Sequence, residues 1–152
     1  MKSQYYTALV TNTYKMAIDS YFSGNYSYNP LWLRELESVT HRDYATGYYF
    51  TDPRGEANLT DNTGYHKEKS FIAVASGYDS EKGMALFTQR NKMTLGDELE
   101  LLTPGCVGQP IKITALYDDN MQQIESIPHP YMPFYAVTDI PVKEGDILRF
   151  KN

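Results

Sequence analysis

Apolar residues recur at spacings of three and four from residue 3 to residue 22: Tyr6, Leu9, Val10, Thr13, Tyr14, Ala17, Ile18, Tyr21 and Phe22. That period predicts an amphipathic helix over 3–22, with Gly24 placed to cap its C-terminus. The segment 24–30 then reads as a loop. Asn29 as N-cap and Pro30 at the first helical position open a shorter helix, with Leu31, Trp32, Leu33, Leu36 and Val39 as its apolar content. After His41 the helical period is lost. Residues 51–69 carry Asp52-Pro53, Arg54-Gly55, Asp61-Asn62 and Thr63-Gly64 with almost no apolar period, the pattern of a long loop.

From residue 70 onward short apolar runs alternate with turn signals. The predicted strands are 70–78, 84–89, 98–102, 111–117, 123–127, 134–137 and 147–150. Between them lie Gly83, Leu95-Gly96-Asp97, Pro104-Gly105, Asp118-Asp119-Asn120 and Gly145-Asp146. Short, closely spaced strands of this kind predict a mainly β chain: two helices, then a small antiparallel β-barrel or sandwich. The stripe on the first helix is wider than one short neighbour covers. It is expected to pack on the barrel, on a larger partner or on a second copy of the chain.

The 152 residues suit one domain with a short appendage. A net charge of −5 argues against a broad nucleic-acid-binding surface and leaves room only for a local basic patch. The one cysteine, Cys106, excludes an internal disulfide framework and any Cys-rich metal or iron–sulfur site within the chain. Met1-Lys2-Ser3-Gln4-Tyr5-Tyr6 lacks the apolar core of a signal peptide, and no apolar run approaches the length of a membrane span. A cytoplasmic protein without a membrane partner is expected. The 14 tyrosines are numerous enough that many rings should sit half-buried at surfaces.

Candidate chemistry is sparse. His41, His66 and His129 share no ligand spacing, so a zinc site is not expected. His41 and His129 read either as structural hydrogen-bonding residues or as RNA contacts or pH-sensitive groups. Cys106 follows Pro104-Gly105 in a turn, with no evident base to activate it. Nucleophile-elbow and phosphate-loop patterns are absent. Asp118-Asp119 and the alternating Glu98 and Glu100 read as solvated-face residues. No catalytic residue, cofactor ligand or metal ligand is therefore predicted. The most distinctive polar run is Thr88-Gln89-Arg90-Asn91-Lys92-Met93. It reads either as a clamp for phosphate or an acidic surface, or as a charged loop whose Arg90 pairs with Asp97 or Glu98.

Four segments, taken in order, resemble the C-terminal region of the U32 peptidase (collagenase-like protease) family. Met1-Lys2-Ser3 with Tyr5-Tyr6 and Tyr14-Lys15-Met16-Ala17-Ile18-Asp19 is similar to the helix after that family's catalytic domain, with Lys15 where Arg is common. Glu35-Leu36-Glu37-Ser38-Val39-Thr40-His41-Arg42 and Thr46-Gly47-Tyr48-Tyr49-Phe50 resemble its EL-x-x-VSHR…TGFYF signature, with Thr40 and Tyr48 in place of Ser and Phe. Gln89-Arg90-Asn91-Lys92-Met93 with Gly96-Asp97-Glu98, and Pro128-His129-Pro130, resemble its QRNKF…GDE and PHP segments.

The resemblance implies a barrel like the second domain of elongation factor Tu over 29–152, preceded by a helix and linker over 1–28 from the end of a catalytic domain. It implies a non-catalytic accessory domain whose partner is that upstream domain, where any iron–sulfur cluster would reside. Members resembling this pattern are associated with hydroxylation of RNA, others with collagenase-like proteolysis. Two functional expectations follow: a barrel that positions tRNA or rRNA, or a docking module that self-associates through the N-terminal helix. His41, Arg42, Gln89, Arg90, Asn91, Lys92 and His129 are the expected contacts to RNA or to the neighbouring domain.

Overall fold

The computed structural model describes residues 3–52 and 71–151. The predicted loop over 51–69 lies outside the described residues except for Thr51 and Asp52, and so does His66. Helix α1 spans Gln4–Phe22; Ser3 precedes it in extended conformation, and its hydroxyl accepts the Tyr6 amide at 3.1 Å. That bond satisfies one of the amides a helix start leaves open. Gly24 follows the helix at φ +79°, a conformation glycine adopts without steric cost. Helix α2 spans Pro30–Leu36, and the Asn29 side chain accepts the Leu31 amide at 3.0 Å. Both helices begin where the sequence predicts. No helix among the described residues is long and apolar enough to cross a membrane.

The strands are β1 Phe71–Asp79, β2 Met84–Gln89, β3 Met93–Thr94, β4 Leu99–Leu102, β5 Gln109–Ile111, β6 Ile113–Tyr117, β7 Gln123–Ile124, β8 Ser126–Ile127, β9 Pro133–Thr138 and β10 Ile147–Phe150. Eight of them form one sheet in the order β5-β4-β10-β1-β2-β9-β6-β7, while β3 and β8 pair separately. Every pairing is antiparallel. Two predicted strands are each divided. The apolar run over 111–117 breaks at Lys112, and the run over 123–127 breaks at Glu125.

The break at Lys112 determines the shape. β5 is at one edge of the sheet and β6 lies next to the strand at the other edge, yet a single residue separates them in the chain. Only a sheet rolled back on itself allows this. Lys112 also ties the two ends: its amide donates to the Asp139 carboxylate at 2.8 Å, and its carbonyl accepts the Asp139 amide at 3.2 Å. The result is a curled, partly open barrel. A period-two pattern cannot reveal such a break, because alternation runs through it unchanged.

Ile72, Ala75, Phe87, Leu99, Leu101, Leu116, Phe134 and Leu148 lie in the barrel interior, with Phe87 and Phe134 stacked at 5.4 Å. On the outer side, Leu102 and Ile147 meet Tyr5, Leu9 and Val39 in a second cluster. Strands β4 and β10 are thus covered on both faces, by the barrel core inside and the helices outside. Tyr5, Leu9 and Thr13 lie one turn apart on the covered face of α1. The distal part of the predicted stripe is uncovered: Tyr14, Ile18, Tyr21 and Phe22 are 60%, 49%, 65% and 81% exposed.

Candidate functional site

Two places in this fold concentrate polar chemistry. The first is buried. Arg149 on β10 stands directly across from Glu100 on β4, and both point outward, beneath the helices. The Arg149 guanidinium donates to Glu100 Oε2 through Nε at 3.0 Å and Nη2 at 2.7 Å. It also forks onto Glu35 of α2, with Nη1 to Oε2 at 2.7 Å and Nη2 to Oε1 at 2.9 Å. Nη1 further donates to the Tyr5 hydroxyl at 3.2 Å and the Ser38 hydroxyl at 3.1 Å. Glu35 Oε1 accepts the Gly108 amide at 2.9 Å as well. Arg149 is 1% exposed; its guanidinium binds α1, α2 and β4 into one unit, to which Glu35 adds the turn before β5.

Electrostatics follow from that enclosure. Burial alone works to lower the Arg149 pKa, and the hydrogen bonds it donates to Glu35, with the Glu35 charge, more than reverse it, so the guanidinium stays charged. Burial pushes the Tyr5 phenol above its ordinary range, against the opposing pull of Arg149 and its hydrogen bonds. Glu100, expected on a solvated face, is 5% exposed. That expectation is corrected for a physical reason: α1 and α2 cover the face that strand alternation would leave to water. A single charge flanked by apolar residues, as in Leu99-Glu100-Leu101-Leu102 and Ile147-Leu148-Arg149-Phe150, is the linear signal that marks this knot.

The second place is a corner at the end of β2. Gln89 is buried, 1% exposed, and its side-chain amide donates to the Ile127 carbonyl at 3.2 Å. Its backbone amide donates to the Met132 carbonyl at 3.0 Å, and its carbonyl accepts the Tyr131 amide at 3.1 Å. Gln89 therefore joins the 89–92 run to the 127–132 turn and does not itself present a contact surface. Arg90 lies over the exposed ring of Tyr131, 4.5 Å from its centroid. The Asn91 side chain donates to the Phe71 carbonyl at 2.6 Å. Lys92 and His129 are exposed. Asp97 accepts the Thr94 amide at 2.8 Å and Glu98 pairs with Lys151 at 3.4 Å, so both suggested partners of Arg90 have local roles of their own.

His41 and Arg42 lie beyond α2. The His41 ring stacks on Tyr44 at 4.5 Å, and its Nδ1 lies 2.7 Å from the Arg42 carbonyl. The Tyr44 hydroxyl donates to the Leu36 carbonyl at 2.9 Å, holding this segment against the helix. Cys106 sits in the β4–β5 turn clamped by Asn12, which donates to its carbonyl at 2.8 Å and accepts the Gly105 amide at 2.7 Å. Among the described residues no group of three or more His, Cys, Asp or Glu side chains converges as a metal site would.

The model of the peptidase family U32 C-terminal domain matches residues 67–149, and that of peptidase family U32 matches residues 1–59. This chain belongs to peptidase family U32. The U32 chain is 30% identical to the tRNA hydroxylation protein P1 of Bacillus subtilis across 98% of its own length and 36% of the relative's. It is 28% identical to a collagenase of Porphyromonas gingivalis over 65% of its length and 28% of that protein's. The U32 chain therefore spans about a third of the length of these relatives. In structure it is similar to the C-terminal domain of a Geobacillus thermoleovorans protein described as a U32 peptidase, with a TM-score of 0.51 and 27% identity. That likeness covers 54% of this chain and 92% of the other, and it agrees with the curled barrel described above.

Proposed function

We propose that this chain is a non-catalytic C-terminal accessory domain, residues 29–152 with the helix and linker of 1–28, that positions tRNA or rRNA for the upstream catalytic domain of a cytoplasmic U32 enzyme. The observation that carries the reading is the corner where Arg90, Asn91, Lys92 and His129 are gathered by the buried Gln89. The Bacillus subtilis relative is a tRNA hydroxylation protein, which points the same way. Cations at such a corner bind phosphates with little regard for sequence and leave chemistry to the neighbouring domain. An iron–sulfur cluster needs several thiolates, and one cysteine cannot hold it, so any such cluster belongs upstream. His41 and Arg42 are assigned to the same substrate or to the contact with the upstream domain.

A gel-shift titration of the chain against structured tRNA at two salt concentrations tests the reading. The expected result is binding that weakens as salt rises. The absence of any shift up to high micromolar protein, at both salts, sinks it.

The uncovered aromatic face favours a second reading, a structural or self-associating module of a collagenase-like peptidase. Tyr21 contacts Phe22 and Tyr26, and Trp32 contacts Tyr26 and Tyr28, in one chain of rings from α1 to α2. Removing 1–28 would also strip Tyr5 and Asn12 from the barrel, so light scattering should compare the chain with a Tyr21→Ser, Phe22→Ser variant. Mass that grows with concentration only in the unaltered chain supports self-association, and a monomer in both counts against it.

A further inference from the structure

We infer that Tyr131 is a stacking platform for an unpaired nucleobase, with Arg90 and Lys92 taking the phosphates beside it. This rests on the RNA-positioning reading and names the ligand chemistry of that corner. Tyr131 has φ +62°, a left-handed conformation that a bulky side chain rarely adopts and that glycine or asparagine would take at lower cost. The chain holds it there with three backbone bonds: Tyr131 N–H to the Gln89 carbonyl at 3.1 Å, Gln89 N–H to the Met132 carbonyl at 3.0 Å, and Met132 N–H to the His129 carbonyl at 3.2 Å. Pro128 and Pro130 stiffen the same turn. The outcome of that constraint is a ring 70% exposed to water. The ring gains no core burial from such an arrangement, only the contact with Arg90, which is the ground for reading it as a contact surface.

The surroundings select the ligand. Tyr21 and Phe22 are also exposed, but they lie on a helix against other rings, whereas Tyr131 has a guanidinium over its face at 4.5 Å. From Met84 to Gly96 and from Ser126 to Thr138 there is no Asp or Glu, in a chain that has 19 of them. Those two segments are the ones that Gln89 joins, and they bring Arg90, Lys92 and His129 to one corner. A cation beside an aromatic face, on two segments that carry no carboxylate of their own, suits a phosphate next to a base. Bases inside a duplex are stacked on both sides, so the ring can accept only a base from a loop, bulge or single strand.

The test uses the 152-residue chain and a labelled RNA hairpin with an unpaired loop, compared with a blunt duplex of equal length, by fluorescence anisotropy at two salt concentrations. Tyr131→Asn removes the ring while tolerating the positive φ, and its thermal melt shows whether the fold is kept. Expected are a preference of the unaltered chain for the hairpin, a loss on the order of ten-fold for Tyr131→Asn on the hairpin alone, and retention by Tyr131→Phe. Arg90→Gln should weaken both RNAs and reduce the salt slope by about one. Tyr131→Asn binding the hairpin like the unaltered chain, while Arg90→Gln is weakened, overturns the platform and leaves the RNA-positioning reading standing. Failure of the unaltered chain to bind either RNA overturns both.

Discussion

Arg149 sits within the last strand and Arg90 just past the end of β2, and each has a tyrosine beside it. Arg149 is enclosed, with Glu35, Glu100, Tyr5 and Ser38 satisfying its donors. Arg90, half-buried, lies over a ring that the backbone holds in water. The same side chain thus fastens helices to a barrel in one region and furnishes a surface in the other. Two terms separate the cases: the desolvation that two buried carboxylates must offset, and the steric constraint that keeps Tyr131 out of the core.

Breaking the buried knot should produce the largest effect. Arg149→Met leaves Glu35 and Glu100 enclosed without their cation, and unfolding in urea should show a loss of about 3–5 kcal/mol. Arg90→Gln should change stability by no more than about 0.5 kcal/mol. The single tryptophan, Trp32 on α2, gives a fluorescence readout at the helical end of the knot. Equal stability of the two variants would erase the distinction between the two arginines.

A smaller disruption approaches the knot from the turn before β5. A Cβ on Gly108 would collide with Arg149 Nη2 and lie 2.8 Å from Glu100 Oε2. Arg149 is held from several sides and cannot retreat, so Gly108→Ala should cost about 1–3 kcal/mol by overpacking. An unchanged urea midpoint would mean that the guanidinium is less fixed than its hydrogen bonds indicate.

The mildest probe is Tyr5→Phe, which at neutral pH should cost about 1 kcal/mol for the lost hydrogen bonds. It also carries a pH signature. Burial raises the Tyr5 pKa in the folded chain, so the unfolded phenol ionises first. The stability this provides is complete below about pH 10 and is lost as pH rises through the folded value. Urea midpoints measured across that window should fall more steeply for the unaltered chain than for Tyr5→Phe. Parallel curves would show that Tyr5 is not the buried phenol responsible.

Much of the fold was legible in the linear pattern because it rests on neighbours a few residues apart. Ser3 and Asn29 cap their helices from one turn away, and the short apolar runs over 84–89 and 147–150 mark β2 and β10. The family resemblance carried by the 35–42, 89–93 and 128–130 segments likewise lies in residue order alone, and the family models match the regions that hold them. Of the candidate corner, Arg90, Asn91, Lys92 and His129 stood out by residue type, whereas Tyr131 did not, because a positive φ leaves no mark in composition.

The sequence by itself determined where the helices start, where most of the strand runs lie and which family the chain resembles, since all of these follow from local periodicity and short motifs. Only the tertiary structure decided that Arg149 meets Glu100, Glu35 and Tyr5 across separations of 49, 114 and 144 residues. It alone turned Glu100 from a solvated position into a buried one, split the 111–117 run at Lys112, and set Arg90 over Tyr131. The physical reason is common to all of these. Alternation and helical period report which face a residue occupies, while what covers that face depends on which distant element packs against it.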